Sequence, residues 1–134
     1  MTVEGMATRP SRHDHAETLR RLEAAIGARG MTIFAHVDHA AGARDAGLDL
    51  RPTDLVIFGS AAAGTPLMAA AQTIGIDLPL KMLVWQDAEG RTSVAYIDPL
   101  WLVRRHSLPA DTDAVAARMQ GALAAIATEA AGEG

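Results

Sequence analysis

Apolar positions along the chain change period several times, and each change marks an element. Val3 to Thr8 alternates weakly and predicts a short strand. Leu19, Leu22 and Ile26 recur at helical spacing with Arg20, Arg21 and Glu23 on the other side, which predicts a helix over about residues 14–29. Ser11-x-x-Asp14 and the overlapping Asp14-x-x-Glu17 both offer caps at its start, and Gly30 stands where it would end. From Met31 to Val37 the period shortens to two. Ile33, Ala35 and Val37 point one way, and Thr32, Phe34 and His36 the other. Asp38 can then cap an alanine-rich helical turn through Ala46, closed by Gly47.

Leu55-Val56-Ile57-Phe58 is a continuous apolar run, as expected of a strand covered on both faces and ended by Gly59. Thr65-Pro66 predicts a helix start, with the hydroxyl as cap and proline at the first helical position. Leu67, Met68, Ala71 and Ile74 continue that helix as an apolar stripe toward Gly75. Leu80–Gln86 and Thr92–Ile97 flank Asp87-Ala88-Glu89-Gly90, which predicts a β-hairpin. Asp98-Pro99 starts a short helix to about His106, which Leu108-Pro109 breaks. A last helix is expected over about residues 112–128, with Val115, Met119, Ala122 and Ile126 on one face. The order is β-α-β-α-β-α-β-β-α-α. Its first unit allows a right-handed crossover and its hairpin forces antiparallel pairing, so the expected fold is α+β: a two-layer mixed β-sheet with helices packed against it.

A chain of 134 residues, 49% hydrophobic and 21% charged, suits a single globular domain over residues 1–134, with a core over about 3–110 and the C-terminal helix beyond. The absence of cysteine excludes a disulfide scaffold, a thiol nucleophile and thiolate metal sites. A net charge of -4 and only five aromatics (Phe34, Phe58, Trp85, Tyr96 and Trp101) argue against a nucleic-acid partner. No apolar run is long enough to span a membrane, and the N-terminal residues lack the pattern of a secretory signal. The expectation is a cytoplasmic protein of bacterial type, with no membrane partner.

Several local patterns bear on chemistry. Gly59-Ser60-Ala61-Ala62-Ala63-Gly64-Thr65-Pro66 has the outer glycines of a phosphate loop. Thr65 stands in place of its lysine and Pro66 in place of its magnesium-binding hydroxyl, so nucleotide hydrolysis is not expected. Such a loop before a helix can still receive an anion on free N–H groups, although its glycines equally serve a tight turn. His36-x-x-His39 beside Asp38 brings metal-ligand types together, but a continuing strand would point the two rings to opposite faces. His39 alone could act as acid–base catalyst or serve a structural bond. His106 follows Arg104-Arg105 near a helix C-terminus, where the helix dipole already accounts for three cations. His36, His39 and His106 are the metal candidates. His39 is the catalytic one.

A set of ordered strings narrows the possibilities. His39-Ala40-Ala41-Gly42-Ala43-Arg44, Leu50-Arg51-Pro52-Thr53-Asp54-Leu55, Ile57-Phe58-Gly59, Gly64-Thr65-Pro66-Leu67-Met68, Asp77-Leu78-Pro79-Leu80-Lys81, Leu83-Val84-Trp85 and Tyr96 through His106 together resemble the DUF302 family, over about residues 3–110. Where that family shows Asn-Pro after Phe-Gly, this chain has Ser60-Ala61. The resemblance implies an α+β fold similar to the TATA-binding-protein topology and a homodimer; it does not supply a reaction, and the cofactor stays unknown. The expected function is a small-ligand binding or sensing module, for a small molecule or anion. Its polar groups would come from His39, Ser60, Gly64, Thr65, Lys81 and Tyr96. A homodimeric interaction protein and an enzyme working through His39 are the alternatives.

Overall fold

The computed structural model describes residues 3–132. Five strands form one sheet: β1 Met6–Pro10, β2 Thr32–Asp38, β3 Thr53–Gly59, β4 Leu80–Gln86 and β5 Thr92–Ile97, in the order β1-β5-β4-β3-β2. Five helices join them: α1 His15–Ala28, α2 His39–Asp45, α3 Ala61–Ala70, α4 Pro99–Arg105 and α5 Asp113–Ala131. The two-layer α+β expectation holds, but the sheet is antiparallel throughout and not mixed. β1 and β2 do run in one direction, as the crossover requires. They stand at opposite edges with three strands between them, and α1 carries the chain across. Each therefore takes an antiparallel neighbour, β5 for β1 and β3 for β2.

The register puts Val56 beside Met82 and Phe58 beside Leu80, and pairs Val84 with Val94. These six side chains share one face and are at most 5% exposed. Leu22 and Ile26 of α1, Leu102 of α4, and Leu123 and Ile126 of α5 cover them. Each such residue contributes about 1.5–3 kcal/mol by leaving water. On α5, Ala116, Ala127 and Ala130 are fully or almost fully buried, and their small size lets α1 and α4 pack close to it. Leu55 and Ile57 stay partly exposed on the opposite face, so the β3 run is sealed on one side only.

Caps largely form where the residue types suggest. Asp14 accepts from the Glu17 N–H, Asp38 from Ala41 and Asp98 from Leu100, all at 2.8–2.9 Å. Two local expectations change. α3 does not start at Thr65-Pro66; its first turn closes at Ser60, whose carbonyl accepts from the N–H groups of Ala63 and Gly64. Three alanines propagate this early turn readily. Pro66 then sits inside the helix and omits one hydrogen bond. In β2 a bulge between Ile33 and Ala35 breaks the expected alternation. Ile33 lies beside Phe58 and His36 beside Val56 on the helix-covered face, while Ala35 and Val37 face the other way.

Candidate functional site

The sheet end that carries Phe58 and Leu80 opens into a cavity of about 370 Å³. Leu80, Ile97, Trp101, Leu102 and Leu123 form its apolar walls, and Asp77, Lys81 and Arg105 supply its charges. α4 places two of these groups four residues apart on one side: Trp101, and Arg105 with its guanidinium carbon 5.9 Å from the indole centre. A 3-10 turn, Gln72–Ile76, leads directly to Asp77. β4 follows through the cis Leu78-Pro79 peptide and delivers Lys81.

The polar side of the cavity is tightly bonded. Arg105 Nη1 donates to both oxygens of Asp77 at 2.8 and 2.7 Å. His106 Nε2 lies 2.5 Å from Asp77 Oδ2, and its Nδ1 lies 3.0 Å from the Thr73 hydroxyl. Burial alone would push the Asp77 carboxyl up. The His106 bond and the Arg105 charge and bonds outweigh that effect and hold it below its ordinary value. Lys81 Nζ donates to the backbone carbonyls of Asp77 at 3.1 Å and Pro79 at 2.9 Å. Burial lowers its pKa, with the Asp77 charge acting the other way. Among the described residues no carboxylate oxygen lies within 4 Å of this ammonium.

A second acidic centre lies at the opposite end of the sheet. Asp54 is almost fully buried, and its two oxygens meet His15 Nε2 at 2.9 Å and His36 Nε2 at 2.6 Å. His36 Nδ1 lies 3.4 Å from Glu23. This group ties α1 to β2 and β3. Among the described residues no cluster of three or more His, Asp or Glu has the geometry to hold a metal ion.

The six candidate binding residues are distributed over several places. Ser60 and Gly64 line an apolar cleft of about 250 Å³ with Phe34, Met68, Leu78 and Pro79. Lys81 and Tyr96 border a smaller hollow on the open face of the sheet, and Lys81 also reaches the large cavity. Burial raises the pKa of Tyr96, partly offset by Arg9. Thr65 is exposed in the middle of α3, and His39 is exposed at the first position of α2. His36 and His39 do not converge, because the strand ends at Asp38 and His36 turns to Asp54. His106 is more than a dipole partner, since it bridges Thr73 and Asp77. Asp77, Arg105 and Trp101 were not among the expected binding residues. The one available signal was Asp77, a carboxylate just before the Leu78-Pro79 turn.

The family model described as domain of unknown function DUF302 matches residues 7–126. The chain belongs to the DUF302 family. A crystal structure of an uncharacterised conserved DUF302 protein from Bacillus stearothermophilus superposes with a TM-score of 0.85 at 22% identity, covering 96% of this chain and 99% of that one. At that identity the likeness shows the shared DUF302 fold. Two curated relatives are named fluoride-specific ion channels, FluC 1 of Brucella suis biovar 1 and FluC 2 of Brucella melitensis biotype 1. Each is 43% identical over 129 residues, or 96% of this chain. This DUF302 chain spans only 51% and 48% of their respective lengths. No helix among its described residues is long and apolar enough to cross a membrane.

Proposed function

We propose that this domain binds a small organic molecule in the cavity between α4 and the ends of β4 and β5. The observation that carries the proposal is the lining: an apolar wall with a tryptophan, and three charged groups converging at one side. Sites for small ligands combine these two features, the wall for affinity and the few polar groups for orientation. A binding or sensing role also suits a domain that matches about half of each Brucella channel-named relative, since a ligand-responsive module can be joined to another part. The test is a melting-temperature screen against a broad metabolite panel, with sodium fluoride as a separate arm. A ligand present at 100 times its Kd stabilises the folded chain by about 2.7 kcal/mol, a shift of several degrees. A panel that leaves both the melting temperature and the Trp101 fluorescence unchanged would overturn the proposal.

A second reading concerns the partner, a second copy of this chain. β2 is an open sheet edge whose seven residues are all exposed, including Ile33, Phe34 and Val37. Such an edge is a template for pairing, and antiparallel pairing with its own copy satisfies a two-fold axis. Sedimentation of a dimer that Val37→Lys converts to a monomer is the expected result. A monomer at micromolar concentration would overturn it.

A further inference from the structure

We infer that the ligand of the large cavity is an organic anion with an apolar body, an inference that rests on the small-ligand reading above. The charges around the cavity are two cations, Lys81 and Arg105, and one carboxylate, Asp77. Asp77 is already satisfied, because its oxygens hold the Arg105 guanidinium and His106. A cationic ligand would have to displace one of them. Lys81 is in the opposite situation. It is half-buried, two of its three N–H donors rest on neutral backbone carbonyls, and no described carboxylate oxygen lies within 4 Å of it, Asp77 acting on it only from farther away. A cation in a partly apolar setting gains most from an anionic partner that brings its own charge into the site. The wall beside it is apolar, built from Leu80, Ile97, Trp101, Leu102 and Leu123, and the one donor among these side chains, the Trp101 indole N–H, is spent on Glu4 at 3.3 Å. The head group of the ligand therefore meets Lys81, with the Arg105 charge nearby, and its body lies against Trp101.

Three probes with one ring separate the possibilities: benzoate, benzyl alcohol and benzylammonium. Their binding is read from the Trp101 indole N–H resonance in the full chain, assigned with Trp101→Phe. Benzoate should shift that signal saturably and bind at least about tenfold more tightly than the alcohol. Lys81→Gln should remove that advantage, and Lys81→Arg, which keeps the charge and guards against a folding artefact, should restore most of it. If the alcohol or the ammonium binds as well as benzoate, or if Lys81→Gln changes nothing, the anion assignment falls and the small-ligand reading stands. If no probe moves the Trp101 signal and the metabolite panel is also silent, both fall together.

Discussion

The two ends of the sheet each carry an aspartate bonded to histidine, and they are built for different ends. Asp54 is nearly sealed, with 6% of its side chain exposed; one oxygen is bonded to His36 of β2 and the other lies 2.9 Å from His15 Nε2 of α1. Every partner belongs to an element that must stay put for the sheet to be covered. Asp77 is 20% exposed, is held from one short helix and its C-cap, and borders a cavity. The chemistry of the two pairs is alike. The difference lies in what surrounds them: packed elements on one side, an apolar hollow with a spare ammonium on the other. An ion pair acts as a clamp when all its neighbours are structure, and as part of a site when one neighbour is empty space.

Substitutions can break this contrast. The largest effect is expected from Asp54→Ala, which strips the buried acceptor from His36 and removes the carboxylate beside His15. Removing one member of such a group costs about 3–5 kcal/mol, measurable by urea unfolding. A loss below about 1 kcal/mol would make Asp54 no more structural than a surface pair. Gly5→Ala comes next, and it reaches the cavity from behind. Gly5 has φ +76°, and an added Cβ would lie 2.4 Å from the Trp101 ring. A loss of about 2 kcal/mol is expected, with a changed Trp fluorescence as the indole is displaced.

Asp77→Asn should cost less, about 1 kcal/mol near neutral pH, because its pairs are partly in water. Its pH dependence sharpens the comparison. The folded carboxyl is held below its ordinary value of 3.8, so the stability it adds is present above that value and is lost as pH falls through the folded pKa. The gap between wild type and Asp77→Asn should therefore narrow as pH falls below the ordinary carboxylate value of 3.8 and close once the folded carboxyl is protonated. A gap that persists at the acid end would contradict the sign. Least of all is expected from Glu17→Gln. Arg20 and Arg21 hold the Glu17 carboxyl down to about 2, yet the group lies in solvent and the melting temperature should hardly move.

These centres were unequally legible in the sequence. Local signals carried the elements well: the Leu19, Leu22, Ile26 stripe, the Asp38 and Asp98 caps, and the glycine-ended hairpin turn all appear where their residue types place them. Strand direction did not follow, because whether β1 lies beside β2 or beside β5 is decided by pairings across most of the chain. The bulge at Phe34 was hidden for the same reason, since only the partner strand shows which residue is extra. His106 looked like one more cation at a helix end, and Asp77 lies far from it in sequence. Asp54 stands just before the apolar run that starts at Leu55, with no local pattern to mark it, and its two histidines come from separate elements. Periodicity reports which face a residue takes, whereas a site depends on which distant faces meet.

The edge-to-edge passage of α1 has a consequence for how the molecule assembles. β3, β4 and β5 follow one another closely in the chain, so their ladder can form from near neighbours. β1 must wait, because Met6 finds its partner at Ile97, most of the chain away. Loop closure makes such distant pairings late and slow. Of the five strands, the first in chain order is therefore expected to be the last to enter the sheet. Substitutions in Met6–Pro10 should then speed unfolding while leaving the folding rate unchanged, and a slowed folding rate would contradict this order.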